Sequence, residues 1–119
     1  MEGTLSLIPL DKLTAPGGKP LGDLDDLVQA VLKALPTTKP WQRQLRDYLR
    51  AADRQIQVLR LTLSLRRSRE EVVEAEEALL RSLRAAQGYV NGGRADMGTR
   101  TAVLLASELM QKVARELEQ

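Results

Sequence analysis

Residues 41–90 read WQRQLRDYLR AADRQIQVLR LTLSLRRSRE EVVEAEEALL RSLRAAQGYV. Between Pro40 and Gly88 this stretch contains no Gly, Pro or Asn, and Leu, Arg, Glu, Gln and Ala dominate it. These residues favour helix, because their side chains lose little freedom there and none interrupts the backbone hydrogen bonds. The stretch therefore predicts roughly fifty helical residues, on the order of 70 Å of helix if unbroken.

Apolar residues recur every three or four positions in the first half of the stretch, which places them on one side of a helix. This first seam consists of Trp41, Leu45, Leu49, Ala52, Ile56, Leu59 and Leu63. Val58, Leu61 and Leu65 lie off the seam, so the helix is apolar on more than one side there and more than one neighbour is expected. A half-buried strand is the competing interpretation for residues 56–65, because their apolar positions partly alternate.

The second half of the stretch has a seam of its own, in a different register from the first. It consists of Val72, Ala75, Leu79, Leu83, Ala86 and Val90. Between the two seams, Ser68 and Glu71 form a capping-box pattern, which is typical of a new helix after a tight turn. Against this, Arg66 and Glu70 have the four-residue spacing that stabilises one continuous helix, and no turn-forming residue is present. One continuous helix is favoured, and a hairpin is the alternative.

Two shorter helices are predicted on either side of this stretch. The first has Asp23 as its N-cap and ends at Pro36, after which Thr37 or Thr38 caps the long helix and Pro40 lies in its first turn. The first carries Leu24, Leu27, Val28, Val31, Leu32 and Leu35; the last carries Val103, Ala106, Met110, Val113 and Leu117, widened by Leu105 and Leu109.

The last helix follows a glycine-rich chain reversal at residues 88–98 and begins near Asp96 or Thr99. Short connections predict that the first helix packs on the first half of the long stretch and the last helix on the second half.

The predicted fold is all-α: an elongated antiparallel helical hairpin or bundle of three to four helices around one long central helix, in an oligomer. Residues 21–119 are predicted to form a single helical domain. Residues 1–20 are rich in Gly and Pro, so they are predicted to form a flexible N-terminal segment. That segment either lies along the bundle or docks on a partner.

The chain of 119 residues lacks residue types that enzymes commonly use for catalysis. There is no Cys and no His, which excludes thiol nucleophiles, disulfides, Cys/His zinc sites and imidazole acid–base chemistry. We therefore expect no enzyme activity, no catalytic residues, no cofactor and no metal. The apolar runs are too short for a membrane span, and the first residues lack the pattern of a signal peptide, so the expected location is the cytoplasm.

Two further patterns have simple interpretations. The acidic run at residues 70–77 holds five Glu at spacings that suit a divalent ion, but helical di-metal sites pair such Glu with His, so a solvated or salt-bridging face is favoured. Gly93 to Gly98 has the spacing of a phosphate loop, yet Thr99 stands where Lys is required. A turn followed by an N-cap is favoured over an anion site built with Arg94 and Arg100.

Charge is segregated along the long stretch, although the formal net charge is only +2. Residues 41–69 hold eight Arg against two Asp, and the predicted basic surface is Arg43, Arg46, Arg50, Arg54 and Arg60. Such a row is able to contact the phosphates of a nucleic acid. A nucleic-acid-associated protein is therefore the alternative function.

The leading function is a non-enzymatic protein–protein interaction module: an adaptor, assembly chaperone or structural subunit, acting as an oligomer or within a larger complex. The predicted partner-binding residues are Trp41, Leu45, Leu49, Ile56, Val58, Leu61, Leu63 and Leu65. Antiparallel self-association is a further hypothesis, because the Arg residues of one chain then meet the Glu residues of another. The ion-pairing residues would be Arg66, Arg67, Arg69, Glu70, Glu71 and Glu74.

Overall fold

Four helices make up most of residues 18–118, the part of the chain that the computed structural model describes. Helix α1 spans Gly18–Ala34, α2 spans Pro40–Ser64, α3 spans Arg69–Gly92 and α4 spans Met97–Leu117. The predicted all-helical fold class is confirmed for these residues. They contain no strand, so the strand considered for residues 56–65 is wrong.

Helix α1 begins earlier than predicted, at Gly18. Pro20 is tolerated in its first turn, because the first N–H groups of a helix have no carbonyl to bond within it. Asp23 therefore lies inside the helix, where its carboxylate accepts a hydrogen bond from Lys19 Nζ at 3.2 Å, and its assignment as the N-cap is wrong. The predicted N-terminal segment thus loses residues 18–20 to α1, while residues 1–17 lie outside the described part of the chain.

Gln42 closes the connection between α1 and α2. Its side-chain oxygen accepts hydrogen bonds from the Lys39 backbone N–H at 2.9 Å and from the Thr38 hydroxyl at 3.2 Å. Lys39 is the N-cap, so the predicted cap at Thr37 or Thr38 is wrong, while Pro40 lies in the first turn as predicted. Because these bonds satisfy the Gln42 side chain, it is tolerated in the buried layer.

Helix α2 ends in a Schellman motif, which the sequence did not suggest. The Arg67 N–H donates to the Thr62 carbonyl at 3.1 Å, and the Arg66 N–H donates to the Leu63 carbonyl at 3.1 Å. Arg66 has a φ of 54°, the left-handed conformation that Gly usually supplies at this point of the motif. The chain therefore turns back after Leu65.

Ser68 then begins α3. Its hydroxyl oxygen accepts a hydrogen bond from the Glu71 N–H at 3.2 Å, which satisfies one of the free donors of the new helix. The same hydroxyl lies 3.2 Å from Glu71 Oε1. The favoured prediction of one continuous helix is wrong, and the hairpin alternative, with its cap at Ser68, is confirmed.

Helix α3 continues further than the glycines suggested, through Gly88 to Gly92. Tyr89 and Val90 explain this, because both must pack inward to join the core, and a helix places them there. The chain reversal between α3 and α4 is short. Asp96 caps α4 by accepting a hydrogen bond from the Thr99 N–H at 3.0 Å. The predicted N-cap near Asp96 is confirmed.

The four helices close into a ring: α2 packs against α1 and α3, and α4 packs against α3 and α1. Asp25 and Gln29 of α1 bond Arg60 and Asp53 of α2, so residue numbers rise along one helix as they fall along the other. These two helices therefore run antiparallel. The two pairings predicted from the short connections are confirmed, and the ring adds α2 with α3 and α1 with α4.

One core runs through all four helices and is built mainly from the predicted seams. Its buried members include Leu24, Val28, Leu32, Leu45, Leu49, Ile56, Leu59, Leu79, Leu83, Val90, Val103, Met110 and Val113. An elongated molecule around one central helix would instead leave each seam covered by a single neighbour. The prediction of one long central helix is wrong, because the turn after Leu65 folds both seams into the same core.

Candidate functional site

An exposed apolar strip follows the outer side of α2 near its C-terminal end. It consists of Val58, Leu61 and Leu65, which are 46%, 59% and 59% exposed. The spacing of three and four residues places them on one face, opposite the buried seam of the same helix. Apolar side chains aligned in this way offer a surface for another apolar group.

The other predicted partner-binding residues have different places. Leu45, Leu49 and Ile56 are at most 2% exposed and pack inside the bundle of their own chain. Trp41 and Leu63 are half-buried against the same core. These five residues belong to the fold, since intramolecular packing covers the first seam, and of the predicted set only the apolar strip is open.

The two helices that pack against α2 carry acidic side chains near its C-terminal end. Helix α3 starts directly after the turn, so its exposed Glu70 and Glu74 lie beside the last turns of α2. On the other side, Asp25 of α1 pairs with Arg60, and the next residue, Asp26, is exposed. Both neighbouring helices therefore carry carboxylates at the end of α2 that holds the strip.

The predicted basic row does not remain a row. Arg46 turns towards α1 and donates to the Leu32 and Leu35 carbonyls at 2.9 and 3.4 Å, near the C-terminal end of that helix. A cation there is stabilised by the free carbonyl groups. Arg43 donates to the Thr37 carbonyl at 2.9 Å. Arg43 and Arg46 therefore hold the α1–α2 connection in place.

Arg60 also has a structural partner, the Asp25 carboxylate. Around this pair, Gln57 Nε2 donates to Asp25 and Asp53 at 3.2 and 3.1 Å, and Gln29 Nε2 donates to Asp53 at 2.7 Å. This polar network joins the outer edges of α1 and α2. Because each partner is fixed along its helix, the network favours one register of the two helices.

Arg50 and Arg54 are the members of the row that make no ion pair or hydrogen bond with other described residues. They line a surface groove of about 570 Å³ between α1 and α2, together with Lys33 from α1. Lys33 was missed by the sequence prediction, because its proximity to Arg50 depends on how α1 packs. The cationic surface therefore spans two helices.

The residues predicted to form ion pairs between two chains lie at the α2–α3 turn. Arg67 Nε and Glu71 Oε2 form an ion pair within the chain at 3.0 Å, and this bond lowers the pKa of Glu71. Arg66 lies in the turn itself. A straight ladder of Arg and Glu along one helix therefore does not exist, although Arg69, Glu70 and Glu74 are exposed. Self-association stays a prediction.

The acidic run of α3 contains one carboxyl group with a raised pKa. Partial burial of Glu76 raises its pKa, and the nearby Glu118 charge raises it further. Glu70 and Glu74 face water. Within residues 18–118, no three acidic side chains converge as ligands of a metal ion.

The start of α4 is occupied by its own carboxylate. Asp96 accepts hydrogen bonds from the Thr99 hydroxyl at 2.8 Å and from the Thr99 N–H, and these bonds lower the pKa of Asp96. Arg100 donates to the Gly93 carbonyl at 3.2 Å. The predicted turn and N-cap are confirmed, and the Asp96 carboxylate fills the position that an external anion would take.

Comparison of the chain with protein-family models, with curated proteins and with solved structures found no match. Along the described part of the chain, each helix is either too short or too polar to cross a membrane.

Proposed function

We propose that this chain is a non-enzymatic protein–protein interaction module that binds a helix of a partner protein along the apolar strip of α2. It would serve as an adaptor, an assembly chaperone or a structural subunit within a larger complex. The observation that carries the proposal is the alignment of Val58, Leu61 and Leu65 on the outer face of a helix whose opposite face is fully packed.

The size of the strip favours a short helix as the partner rather than a second copy of the chain. Two copies in a stable dimer typically bury about 800 Å² each, from about 20–30 residues a side. The strip has three apolar residues over two helical turns. An amphipathic helix with apolar residues at positions i, i+3 or i+4, and i+7 matches this length.

The charges beside the strip favour a basic partner helix. Glu70 and Glu74 are exposed on α3 and Asp26 is exposed on α1, the two helices that pack against α2. Lys or Arg residues flanking the apolar stripe of the partner would pair with these carboxylates and discriminate against acidic helices. The proposed partner is therefore an amphipathic helix with an apolar stripe and basic flanks.

The test uses two synthetic helical peptides of about 18 residues, with Leu on one face and either Lys or Glu on its flanks. Fluorescence anisotropy with the full chain should show binding of the Lys peptide, with at least tenfold weaker binding of the Glu peptide. Leu61→Asp in the strip should abolish binding. Leu105→Asp on α4 is the matched control, since Leu105 is an exposed Leu outside the strip, and it should leave binding unchanged.

Equal affinity of the Leu61→Asp and Leu105→Asp variants for the Lys peptide would overturn the proposal. Analytical ultracentrifugation tests the competing occupant. A dimer that disappears in Leu61→Asp but persists in Leu105→Asp would assign the strip to a second copy of the chain and reject the partner helix.

A further inference from the structure

We propose that one end of the bundle is a binding surface for the phosphate backbone of nucleic acid. This basic end is defined by residues 29–54, from α1 and α2, and residues 78–105, from α3 and α4. It goes beyond the proposed protein-binding function, because it uses residues outside the apolar strip, most of them in the half of the bundle away from it.

The fold brings the two segments of the basic end together. Tyr48 of α2 and Tyr89 of α3 pack with their ring centroids 5.3 Å apart, which joins the first half of α2 to the last half of α3. A shallow cavity lined by Leu35, Trp41 and Thr99 lies where the α1–α2 connection meets the start of α4. The two connections therefore share one end of the molecule.

The basic end and the other described residues have net charges of opposite sign. The two segments contain ten Lys and Arg residues against three Asp, a net charge of +7. The other described residues, 18–28, 55–77 and 106–118, contain seven Lys and Arg against eleven Asp and Glu, a net charge of −4. The small overall charge thus conceals a dipole along the bundle, and its positive end attracts polyanions.

Several of these cations are available for a ligand. Lys33, Arg50 and Arg54 surround the groove between α1 and α2 and make no ion pair with other described residues. Arg81 and Arg84 are exposed near the middle of α3. Arg43 and Arg46 donate hydrogen bonds to backbone carbonyls rather than to carboxylates, so no acidic partner offsets their charge in these contacts.

The kind of cation and its spread over the surface suit the phosphates of an extended backbone. Eight of the ten cations are Arg, whose planar guanidinium group donates two parallel hydrogen bonds to a phosphate. They are spread over several helices instead of enclosing one pocket, which suits an extended backbone. Tyr48 and Tyr89 pack on each other, and Trp41 is half-buried, so these aromatic side chains do not form an open platform for bases. Binding is therefore independent of base sequence.

The test compares two triple variants of the full chain with equal charge. Lys33→Gln with Arg50→Gln and Arg54→Gln changes the basic end, and Lys19→Gln with Lys112→Gln and Arg115→Gln changes the opposite end. Each removes three positive charges, and circular dichroism establishes that each is folded. Fluorescence anisotropy measures the affinity for two 25-base-pair duplexes of different sequence between about 50 and 200 mM salt. In this range, binding that depends on phosphate contacts weakens strongly as salt is added.

The native chain should bind both duplexes with equal affinity at 50 mM salt. The basic-end variant should bind at least tenfold more weakly, and the slope of log affinity against log salt should fall by about three, roughly one per lost phosphate contact. The opposite-end variant should keep the native slope. Leu61→Asp should also bind the duplex normally, which separates this proposal from the proposed protein-binding function.

Three results would overturn the proposal. They are no binding of the native chain to the duplex at 50 mM salt, equal losses in the two triple variants, and equal affinity for polyglutamate and for the duplex. The second result would show that the loss of affinity comes from the change in net charge and not from the position of the cations. The third would show that the basic end does not prefer phosphate and would favour an acidic protein as its ligand.

Discussion

At the scale of single residues, Arg66 occupies a conformation that its side chain disfavours. Its φ of 54° lies in the left-handed region, where a Cβ crowds the following carbonyl at a cost of about 1–2 kcal/mol. Gly avoids this cost but gives more freedom to the unfolded chain, which offsets part of the gain. The Schellman motif itself needs only the backbone of this residue.

Arg66→Gly should therefore raise the free energy of unfolding by about 0.5–1 kcal/mol, measured by urea denaturation. Arg67→Gly is the control: it has no positive φ to relieve and it loses the ion pair with Glu71, so it should be destabilising. A lower stability of Arg66→Gly than of the native chain would contradict the strain argument.

Glu76 makes a second prediction at this scale, since burial and then Glu118 raise its pKa. A carboxyl group with a higher pKa in the folded than in the unfolded state binds its proton more tightly when folded. Its charged form therefore lowers stability at pH values above the raised pKa, and the penalty disappears as the pH falls below the ordinary value of 4.5.

Glu76→Gln should accordingly increase the unfolding free energy at pH 7, by no more than about 0.5 kcal/mol because water screens a partly exposed group. The gain should vanish below the ordinary pKa of Glu. Chemical denaturation at pH 7 and at pH 3.5 measures the gain in unfolding free energy and its disappearance. The exposed Glu77→Gln is the control. A gain that grows as the pH falls would contradict the assigned sign.

At the scale of helices, the apolar seams could be predicted from the sequence and the helix ends only in part. The three-and-four spacing placed Leu45, Ile56 and Leu79 on buried faces, because helical geometry alone determines which residues share a side. The end of α2 was predicted only as the alternative, because Arg66 occupies the position where Gly is the usual signal. Gly88 gave a misleading signal for the end of α3, since core packing of Val90 outweighs the modest cost of Gly in a helix.

Substitution of Ser68 tests the N-cap that begins α3 after the α2–α3 turn. Ser68→Ala removes the oxygen that accepts the Glu71 N–H, and loss of such a cap typically costs about 1 kcal/mol. Thermal or urea unfolding of the full chain should show this loss. Ser64→Ala, four residues earlier and also exposed, should change the stability by less than about 0.5 kcal/mol. Equal effects of the two substitutions would argue against a helix start at Ser68.

At the scale of the whole molecule, the folding back of α3 creates both candidate surfaces. It buries the first seam and leaves Val58, Leu61 and Leu65 exposed on the outer face of α2. It also brings Arg81 and Arg84 of α3 beside the middle of α2. The sequence identified the strip residues and the Arg row, but Lys33 and the α3 cations join the basic end through tertiary packing alone.

The distance between α2 and α3 tests this account most directly. The chain has no Cys, so Asp47→Cys with Gly88→Cys places two spin labels at exposed sites beside the packed pair of Tyr48 and Tyr89. Pulsed electron paramagnetic resonance should give a short distance, set by the roughly 8–10 Å between packed helices and the length of the label arms. A distance on the order of 60 Å, the rise of one unbroken helix over the same residues, would contradict the folded-back bundle and both surfaces built on it.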